Sequence, residues 1–233
     1  MRALKVYVGY DSREDIAWEV CRRSLRRHAS APVEVHPLRQ PVLRELGLYT
    51  RSADPASTEF SLTRFLSPYI AAHDGWTLFV DCDFLFTRDV FELLDMADAD
   101  KAVHVVQHDY VPRNAVKMDA QTQTSYPRKN WSSFMLFNGA HPAVKALTPA
   151  VVNTASPAHL HRFGWADDAD IGALPLEWNF LVGEYNPPAA APAAIHYTNG
   201  GPWFSHWQHV DFGDLWRAER DAHEADLALP AAS

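Results

Sequence analysis

Two β-rich runs separated by one helical segment constrain the fold of this chain more than any other feature. The runs are Leu4 to Gly9 and Val33 to Leu38. Between them, Asp11 or Ser12 can cap a helix that extends to about Arg27. Its apolar residues recur at helical spacing, at Ile16, Ala17, Val20, Cys21 and Leu25. A strand, a helix and a second strand in this order form a βαβ unit, which predicts a parallel sheet.

The rest of the sequence extends this unit into one α/β domain. Apolar runs predict further strands at 76–81, 102–107, 132–137 and 193–197, and periodic segments predict helices at 61–72, 142–153 and 212–229. Residues 39–60 indicate a less regular connection, 109–130 a long loop, and the Pro- and Ala-rich 186–194 an extended surface segment. The predicted fold is α/β: a single domain over residues 1–233, with a mostly parallel, Rossmann-like sheet flanked by helices.

Composition and charge exclude several classes of protein. Hydrophobic residues make up 47% of the chain, which is typical of a globular protein, and the formal net charge of −8 argues against general binding to nucleic acid. The two cysteines form no zinc or disulfide pattern, and no apolar run is long enough to span a membrane. We therefore expect a cytoplasmic protein, for which peripheral association with a membrane stays open.

The segment TLFVDCDFLF places two aspartates where a buried strand ends. Asp81 and Asp83 flank Cys82, and residues two apart in a strand point to the same side. Two carboxylates so placed repel each other unless a cation lies between them, and hard cations such as Mn²⁺ or Mg²⁺ prefer carboxylate oxygens. Ligands of open α/β sheets bind at the carboxyl ends of strands, so the pair is suited to a metal that holds a phosphate. The alternative is a turn in which one aspartate caps the next helix, although Asp89 is better placed for that role.

A phosphatase of the haloacid-dehalogenase type is a second interpretation of the same residues. In those enzymes an aspartate nucleophile follows a strand and a second aspartate lies two residues later, as Asp81 and Asp83 do. Their pattern places a small Thr or Val two residues after the second aspartate, where this chain has Leu85. This difference weakens the phosphatase interpretation and leaves it open.

Three further stretches accompany the paired aspartates in a recognisable order. They are VYVGYDSRE at 6–14, NWSSFMLFN at 130–138 and IHYTNGGPW at 195–203. With them the chain resembles glycosyltransferases of the GT-A fold, and family 8 in particular, which includes glycogenin-like and lipopolysaccharide galactosyltransferase-like enzymes. The resemblance implies a GT-A-like domain with an Mn²⁺ (or Mg²⁺) ion held by Asp81, Asp83 and His196.

The resemblance also implies where a nucleotide-sugar donor, a UDP-sugar by family precedent, would be held. The turn after the first strand would bind the nucleotide, with Tyr10 stacking on the base and Asp11 accepting from its N–H group. A basic residue before the paired aspartates would contact the donor sugar or phosphate, and a glycine-rich turn would cradle the diphosphate. The implied donor-binding residues are Gly9, Tyr10, Asp11, Arg13, Arg64, Asp81, Cys82, Asp83, Gly200 and Gly201.

An acidic group at GWADDADIG corresponds to the segment where family 8 has Asp-Gln-Asp. The resemblance implies catalytic roles for Asp168 and Asp167, with Asp168 near the reacting face of the sugar. Two departures weaken the match, because Ala169 replaces the glutamine and GGPW at 200–203 lacks the lysine of the family's Lys-Pro-Trp sequence. The alternative to a catalytic role is that the acidic group belongs to a solvent-exposed loop without a function in catalysis.

Taken together, the sequence predicts metal-dependent transfer of a sugar from a nucleotide-sugar to an unknown acceptor, with retention of anomeric configuration implied by the resemblance. The long loop at 109–130 would close over the donor or recognise the acceptor. The non-enzymatic alternative is a module that binds a nucleotide-sugar without turning it over, because the missing lysine and glutamine could abolish turnover. The enzymatic alternative is the phosphatase described above.

Overall fold

The computed structural model describes residues 3–52, 58–109 and 127–228. The predicted acceptor loop therefore lies largely outside the described residues, as do its Tyr110, Arg113, Lys117 and Tyr126. The strands are β1 (Leu4–Gly9), β2 (Val33–Leu38), β3 (Trp76–Val80), β4 (Phe84–Phe86), β5 (Val103–Val106), β6 (Phe134–Asn138), β7 (Ile171–Leu174), β8 (Phe180–Leu181) and β9 (Ala194–His196).

The helices lie between these strands and after the last one. They are α1 (Asp15–His28), α2 (Gln40–Glu45), α3 (Ser67–Ile70), α4 (Glu92–Met96), α5 (Pro142–Lys145), α6 (Pro149–Thr154), α7 (Pro157–His161) and α8 (Gly213–Ala228). None of the described helices is long and apolar enough to cross a membrane.

Six strands form the central sheet in the order β2-β1-β3-β6-β5-β7. Strand β1 is parallel to β2 and β3, and β5 is parallel to β7, whereas β6 is antiparallel to both of its neighbours. The predicted mostly parallel α/β sheet is therefore confirmed. The carboxyl end of β3 coincides with the amino end of β6, because Val80 pairs with Phe134. Segments before β6 and after β3 consequently meet at one end of the sheet.

A second sheet of three strands, in the order β4-β9-β8, packs beside this end. One of its faces contributes Leu85, Phe180 and Ile195 to a second hydrophobic cluster with Trp216 of α8. On its other face the Phe84 ring packs against Phe134 of the central sheet, with ring centroids 5.8 Å apart. The small sheet thereby fixes the chain that follows β3 against the chain that ends at β9.

Prolines shorten two of the predicted helices. The 61–72 segment forms a 3₁₀ helix at Thr63–Leu66 followed by the single turn of α3, in which Pro68 is the second residue. The 142–153 segment divides into α5 and α6, because Thr148 caps a new helix whose first residue is Pro149. Residues 187–193 contain neither helix nor strand, as the composition of that segment predicts.

Candidate functional site

Asp81 and Asp83 lie in the short turn that joins the two sheets. The N–H group of Asp81 donates to the carbonyl oxygen of Ser133 at 3.0 Å, which continues the β3–β6 pairing by one residue. Cys82 points the other way, into the hydrophobic core, where it is 1% exposed and where burial raises the pKa of its thiol well above the ordinary value. The structure therefore leaves the Cys82 side chain out of the site and directs both carboxylates to the same side.

His196 reaches this turn through the small sheet. It is the cross-strand partner of Phe84, the residue that follows Asp83, and the two rings stack with centroids 4.3 Å apart. The Nε2 atom of His196 lies 3.3 Å from Oδ2 of Asp83. One ligand atom from each of Asp81, Asp83 and His196 lies within 4.8 Å of the other two, so the three side chains fit a divalent cation.

Arg64 binds Asp81 directly. Its Nη1 atom lies 2.9 Å from Oδ1 of Asp81 and donates to the carbonyl oxygen of Ser132 at 2.8 Å. The guanidinium is 6% exposed and packs over the rings of Phe60 and Phe79. In the structure Arg64 holds and partly neutralises one carboxylate of the cluster, and its predicted contact with the donor stays a prediction.

Glu14 is a carboxylic acid that the sequence analysis did not single out. It lies at the start of α1 and is 2% exposed. Burial, together with the negative charges of Asp83 and Asp11, raises the pKa of Glu14 to about 8. Its carboxyl group is therefore largely protonated at neutral pH. Acidic residues are common at the start of a helix, so nothing in the segment SRED indicated that Glu14 is buried beside the two aspartates.

The turn after β1 is occupied by contacts within the protein. Asp11 has no exposed surface; Arg13 donates to its two oxygens at 2.9 and 2.8 Å, and Glu59 donates a backbone N–H at 3.2 Å. Burial alone would raise the pKa of Asp11, but the hydrogen bonds from Arg13 outweigh it and the pKa is lowered. This arrangement does not favour the predicted bond from Asp11 to a base, because Arg13 already occupies both oxygens.

The other two predicted residues of this turn have local roles as well. The Tyr10 hydroxyl donates to Asp15 at 2.6 Å, and the Arg39 guanidinium lies 3.7 Å from the centre of its ring. Gly9 faces the Phe60 ring, and a Cβ at this position would lie 2.5 Å from that ring. Packing against Phe60 is therefore sufficient to require glycine at position 9, and Arg39 covers one face on which a base could stack at Tyr10.

Gly200 and Gly201 form the turn that follows β9. Gly200 has a φ of +132°, and its N–H group donates to the carbonyl oxygen of Tyr197 at 2.8 Å. A Cβ on Gly200 would lie 2.6 Å from the Trp207 ring, and one on Gly201 would lie 1.9 Å from the Trp203 ring. The two glycines thus make room for indole rings, and their predicted role in cradling a diphosphate stays a prediction.

The structure does not bring Asp167 and Asp168 to the cluster. Ile171 pairs with Val103, and Val103 with Phe137, which in turn pairs with Thr77 near the start of β3. The residues just before Ile171 therefore approach the end of the sheet opposite to Asp81. The Asp168 side chain is 85% exposed and forms an ion pair with Arg128. Catalytic roles for Asp167 and Asp168 are not favoured by this placement, and we leave both residues out of the proposed site.

Three solved structures with similar folds are glycosyltransferases. The bifunctional glycosyltransferase WbbM superposes with a TM-score of 0.68 at 17% identity, over 94% of this chain and 49% of WbbM. GlyE of Streptococcus pneumoniae TIGR4 has a TM-score of 0.64 at 13% identity, over 97% of this chain and 63% of GlyE. The galactosyltransferase LgtC, in complex with donor and acceptor sugar analogs, has a TM-score of 0.56 at 11% identity, over 94% and 96%.

These likenesses confirm the predicted GT-A fold. This chain spans about half the length of WbbM and less than two thirds of GlyE. No protein-family model matches the sequence. Protein CDI of Arabidopsis thaliana is 47% identical over 230 residues, which cover 97% of this chain and 89% of that protein. The chain therefore belongs to the family of Arabidopsis Protein CDI, and it has the GT-A fold.

Proposed function

We propose that this protein is a metal-dependent glycosyltransferase that transfers a sugar from a nucleotide-sugar, UDP-linked by family precedent, to an acceptor. The observation that carries the proposal is the convergence of Asp81, Asp83 and His196 at one end of a GT-A sheet. The similar structures support it, since all three are glycosyltransferases and LgtC was solved with donor and acceptor sugar analogs. Retention of anomeric configuration is part of the proposal by the same likeness.

Asp81, Asp83 and His196 would hold Mn²⁺ or Mg²⁺. Such an ion, when bound, supplies a Lewis acid that stabilises negative charge on a departing diphosphate. Two carboxylates and one imidazole are suitable donors for either ion, and the choice between them stays open. The protonated Glu14 limits the negative charge of the cluster, so that an anionic donor meets less repulsion there.

The remaining residues of the cluster position these ligands. Arg64 orients the Asp81 carboxylate and offsets part of its charge, because its Nη1 atom lies 2.9 Å from Oδ1 of Asp81. Ser132 and Ser133 belong to the segment before β6; the Ser132 carbonyl accepts from Arg64, and the Ser133 carbonyl accepts from the Asp81 N–H. The Asp81 carboxylate is thus held by Arg64 and by the backbone pairing of its own residue before any donor binds, which lowers the reorganisation required for charge stabilisation.

The phosphatase alternative explains less of this arrangement. A phosphatase that uses Asp81 as nucleophile has no use for a late histidine whose Nε2 faces the second aspartate. In addition, the ion pair with Arg64 reduces the nucleophilicity of the Asp81 carboxylate. The glycosyltransferase proposal accounts for all three members of the cluster and for the fold that presents them.

The test is nucleotide release from a panel of nucleotide-sugars in Mn²⁺, with sugar acceptors added in turn. We expect release of UDP from at least one UDP-sugar, loss of this activity in chelator, and loss of it in Asp83→Asn. A generic aryl phosphate is the matched substrate for the phosphatase alternative. Phosphate release from that ester without nucleotide release would reject the proposal, and binding of nucleotide-sugars without turnover would leave a binding module instead of an enzyme.

A further inference from the structure

The Nδ1 atom of His196 faces a buried hydrogen-bond network that the proposed function does not use. Nδ1 lies 2.8 Å from Oδ1 of Asn179, a residue with no exposed surface. The Nδ2 group of the same Asn179 donates to Oγ of Ser133 at 2.9 Å and to the carbonyl oxygen of Asn130 at 3.3 Å. The Ser133 hydroxyl donates to that carbonyl oxygen as well, at 2.7 Å.

The direction of every hydrogen bond in this network follows from the Asn130 carbonyl. A carbonyl oxygen can only accept, so the Asn179 group that faces it must be the NH₂ group. The amide oxygen of Asn179 then faces His196, and it too can only accept. Nδ1 of His196 must therefore carry a hydrogen, in the neutral as well as in the charged ring. The nitrogen left for a ligand is Nε2, which faces Asp83.

We propose that Asn179 is a positioning residue that fixes the Nδ1–H tautomer of His196 and so directs the Nε2 lone pair toward the metal position between Asp81 and Asp83. The role of this tautomer in metal binding rests on the proposed function, because only a bound cation makes use of the Nε2 lone pair. The tautomer itself follows from hydrogen bonds among this chain's own residues, and it exists with or without metal.

The alternative tautomer would be incompatible with a metal at this position. With hydrogen on Nε2, the ring would donate to Oδ2 of Asp83, 3.3 Å away, and the lone pair would be on the other side of the ring. Without Asn179 this tautomer is favoured, because the Asp83 carboxylate is then the strongest acceptor next to the ring. Stacking on Phe84 holds the plane of the imidazole but does not distinguish its two nitrogens. The Ser133 Oγ atom also lies 3.5 Å from Nδ1, but its hydrogen is donated to the Asn130 carbonyl oxygen, so it too can only accept from the ring and does so at a longer distance. Asn179 is therefore the residue that makes this choice.

The tautomer can be read directly by long-range ¹H–¹⁵N correlation spectroscopy of metal-free protein labelled on histidine, at a pH where the ring is neutral. Wild type is expected to show hydrogen on Nδ1 of His196. In Asn179→Leu, which has a similar volume and no acceptor, we expect hydrogen on Nε2. Asn179→Asp keeps an oxygen facing Nδ1 and should restore the wild-type pattern.

The same three proteins are compared for Mn²⁺ binding by calorimetry. Loss of a group that orients a metal-binding histidine weakens metal binding by about 10- to 100-fold, which is the effect expected for Asn179→Leu, and Asn179→Asp should stay within a few-fold of wild type. The control is Asn138→Leu. Asn138 is also a buried amide that donates to two carbonyl oxygens, of Ala99 and Lys101, but it lies at the opposite end of the sheet. This control should keep both the wild-type tautomer and the wild-type affinity.

Each result has a distinct meaning. Hydrogen on Nε2 in wild type would overturn the inference even if Asn179→Leu failed to fold, and so would Asn179→Leu with unchanged tautomer and Mn²⁺ affinity. Wild type that shows the Nδ1–H tautomer but binds no Mn²⁺ would instead reject the proposed function, and a change of tautomer in Asn179→Leu would still assign the tautomer to Asn179.

Discussion

Arg64 and Asp81 form a buried ion pair, whereas Asp83, two residues further on, faces His196. The Arg64 Nη1 atom is 2.9 Å from Oδ1 of Asp81, and their side chains are 7% and 15% exposed. Glu14 adds a third acid whose raised pKa depends in part on the charge of Asp83. We therefore expect the two aspartates of one short motif to differ in their effect on the stability of the metal-free protein.

We predict that Asp81→Asn destabilises the metal-free protein and that Asp83→Asn does not. The first substitution leaves the buried guanidinium of Arg64 without its carboxylate, which costs about 3 kcal/mol or more. The second removes a charge that repels the Asp81 carboxylate, so the free energy of unfolding should stay within about 1 kcal/mol of wild type or rise. The measurement is urea unfolding in chelator at neutral pH.

Both variants should lose binding of Mn²⁺, so the difference between them is confined to stability. A large loss of stability in Asp83→Asn would mean that this carboxylate has a structural role. Equal stabilities for the two variants would contradict the assignment of Arg64 to Asp81.

Gly9 is predicted to be required by packing. Alanine at this position would place its Cβ 2.5 Å from the Phe60 ring, and overpacking of this kind costs about 1–3 kcal/mol. Replacing the ring by a smaller side chain should recover part of that loss. The destabilisation caused by Gly9→Ala should therefore be smaller in the Phe60→Leu background than in wild type. If glycine were needed only for the approach of a nucleotide, Gly9→Ala would keep wild-type stability and lose only nucleotide affinity.

His161 is predicted to make stability depend on pH. Its ring lies between the hydroxyls of Ser61 and Ser132, at 3.3 and 2.8 Å, and burial, followed by the charge of Arg64, lowers its pKa to about 3 from 6.5. Between these values the unfolded chain binds a proton that the folded protein excludes. The free energy of unfolding should therefore fall as the pH falls from about 6.5, with a contribution of up to about 1.4 kcal/mol per pH unit from this residue.

The His161→Gln variant isolates that contribution from the acids that titrate in the same range. Its unfolding free energy, measured between pH 4 and 6, should depend on pH less steeply than that of wild type by up to the same amount. His159→Gln, an exposed histidine of the same helix, is the matched control and should keep the wild-type slope. Identical slopes for all three proteins would show that the folded protein admits a proton at His161.

The parts of the fold that depend on local patterns could be predicted from the sequence. Strands β1 and β2 begin and end at the predicted residues, and β3 is one residue shorter than predicted. Strand β4 was missed because its three residues become a strand only by pairing with β9. Strand β7 was missed for the same reason, since pairing with β5 defines it.

In the candidate site, too, local motifs could be predicted from the sequence and contacts between distant segments could not. Asp81 and Asp83 could be found because their motif is local, and His196 could be found only through the family resemblance, which the geometry of the cluster supports. The partner of Arg64 and the role of Asn179 could not be found, because both depend on which side chains the two sheets bring together. Asp168 was placed on the reacting face by analogy with a motif, and the register of β7 separates it from the cluster.

Binding of UDP with and without Mn²⁺ is the most direct test of the proposed site. Calorimetry on wild type should show UDP binding in Mn²⁺ that is weakened at least tenfold in chelator, because the diphosphate otherwise faces Asp81 and Asp83 without a cation between them. His196→Ala should weaken UDP binding in Mn²⁺ and have little effect in chelator. Equal UDP affinity in Mn²⁺ and in chelator would contradict a metal-dependent donor site at Asp81, Asp83 and His196.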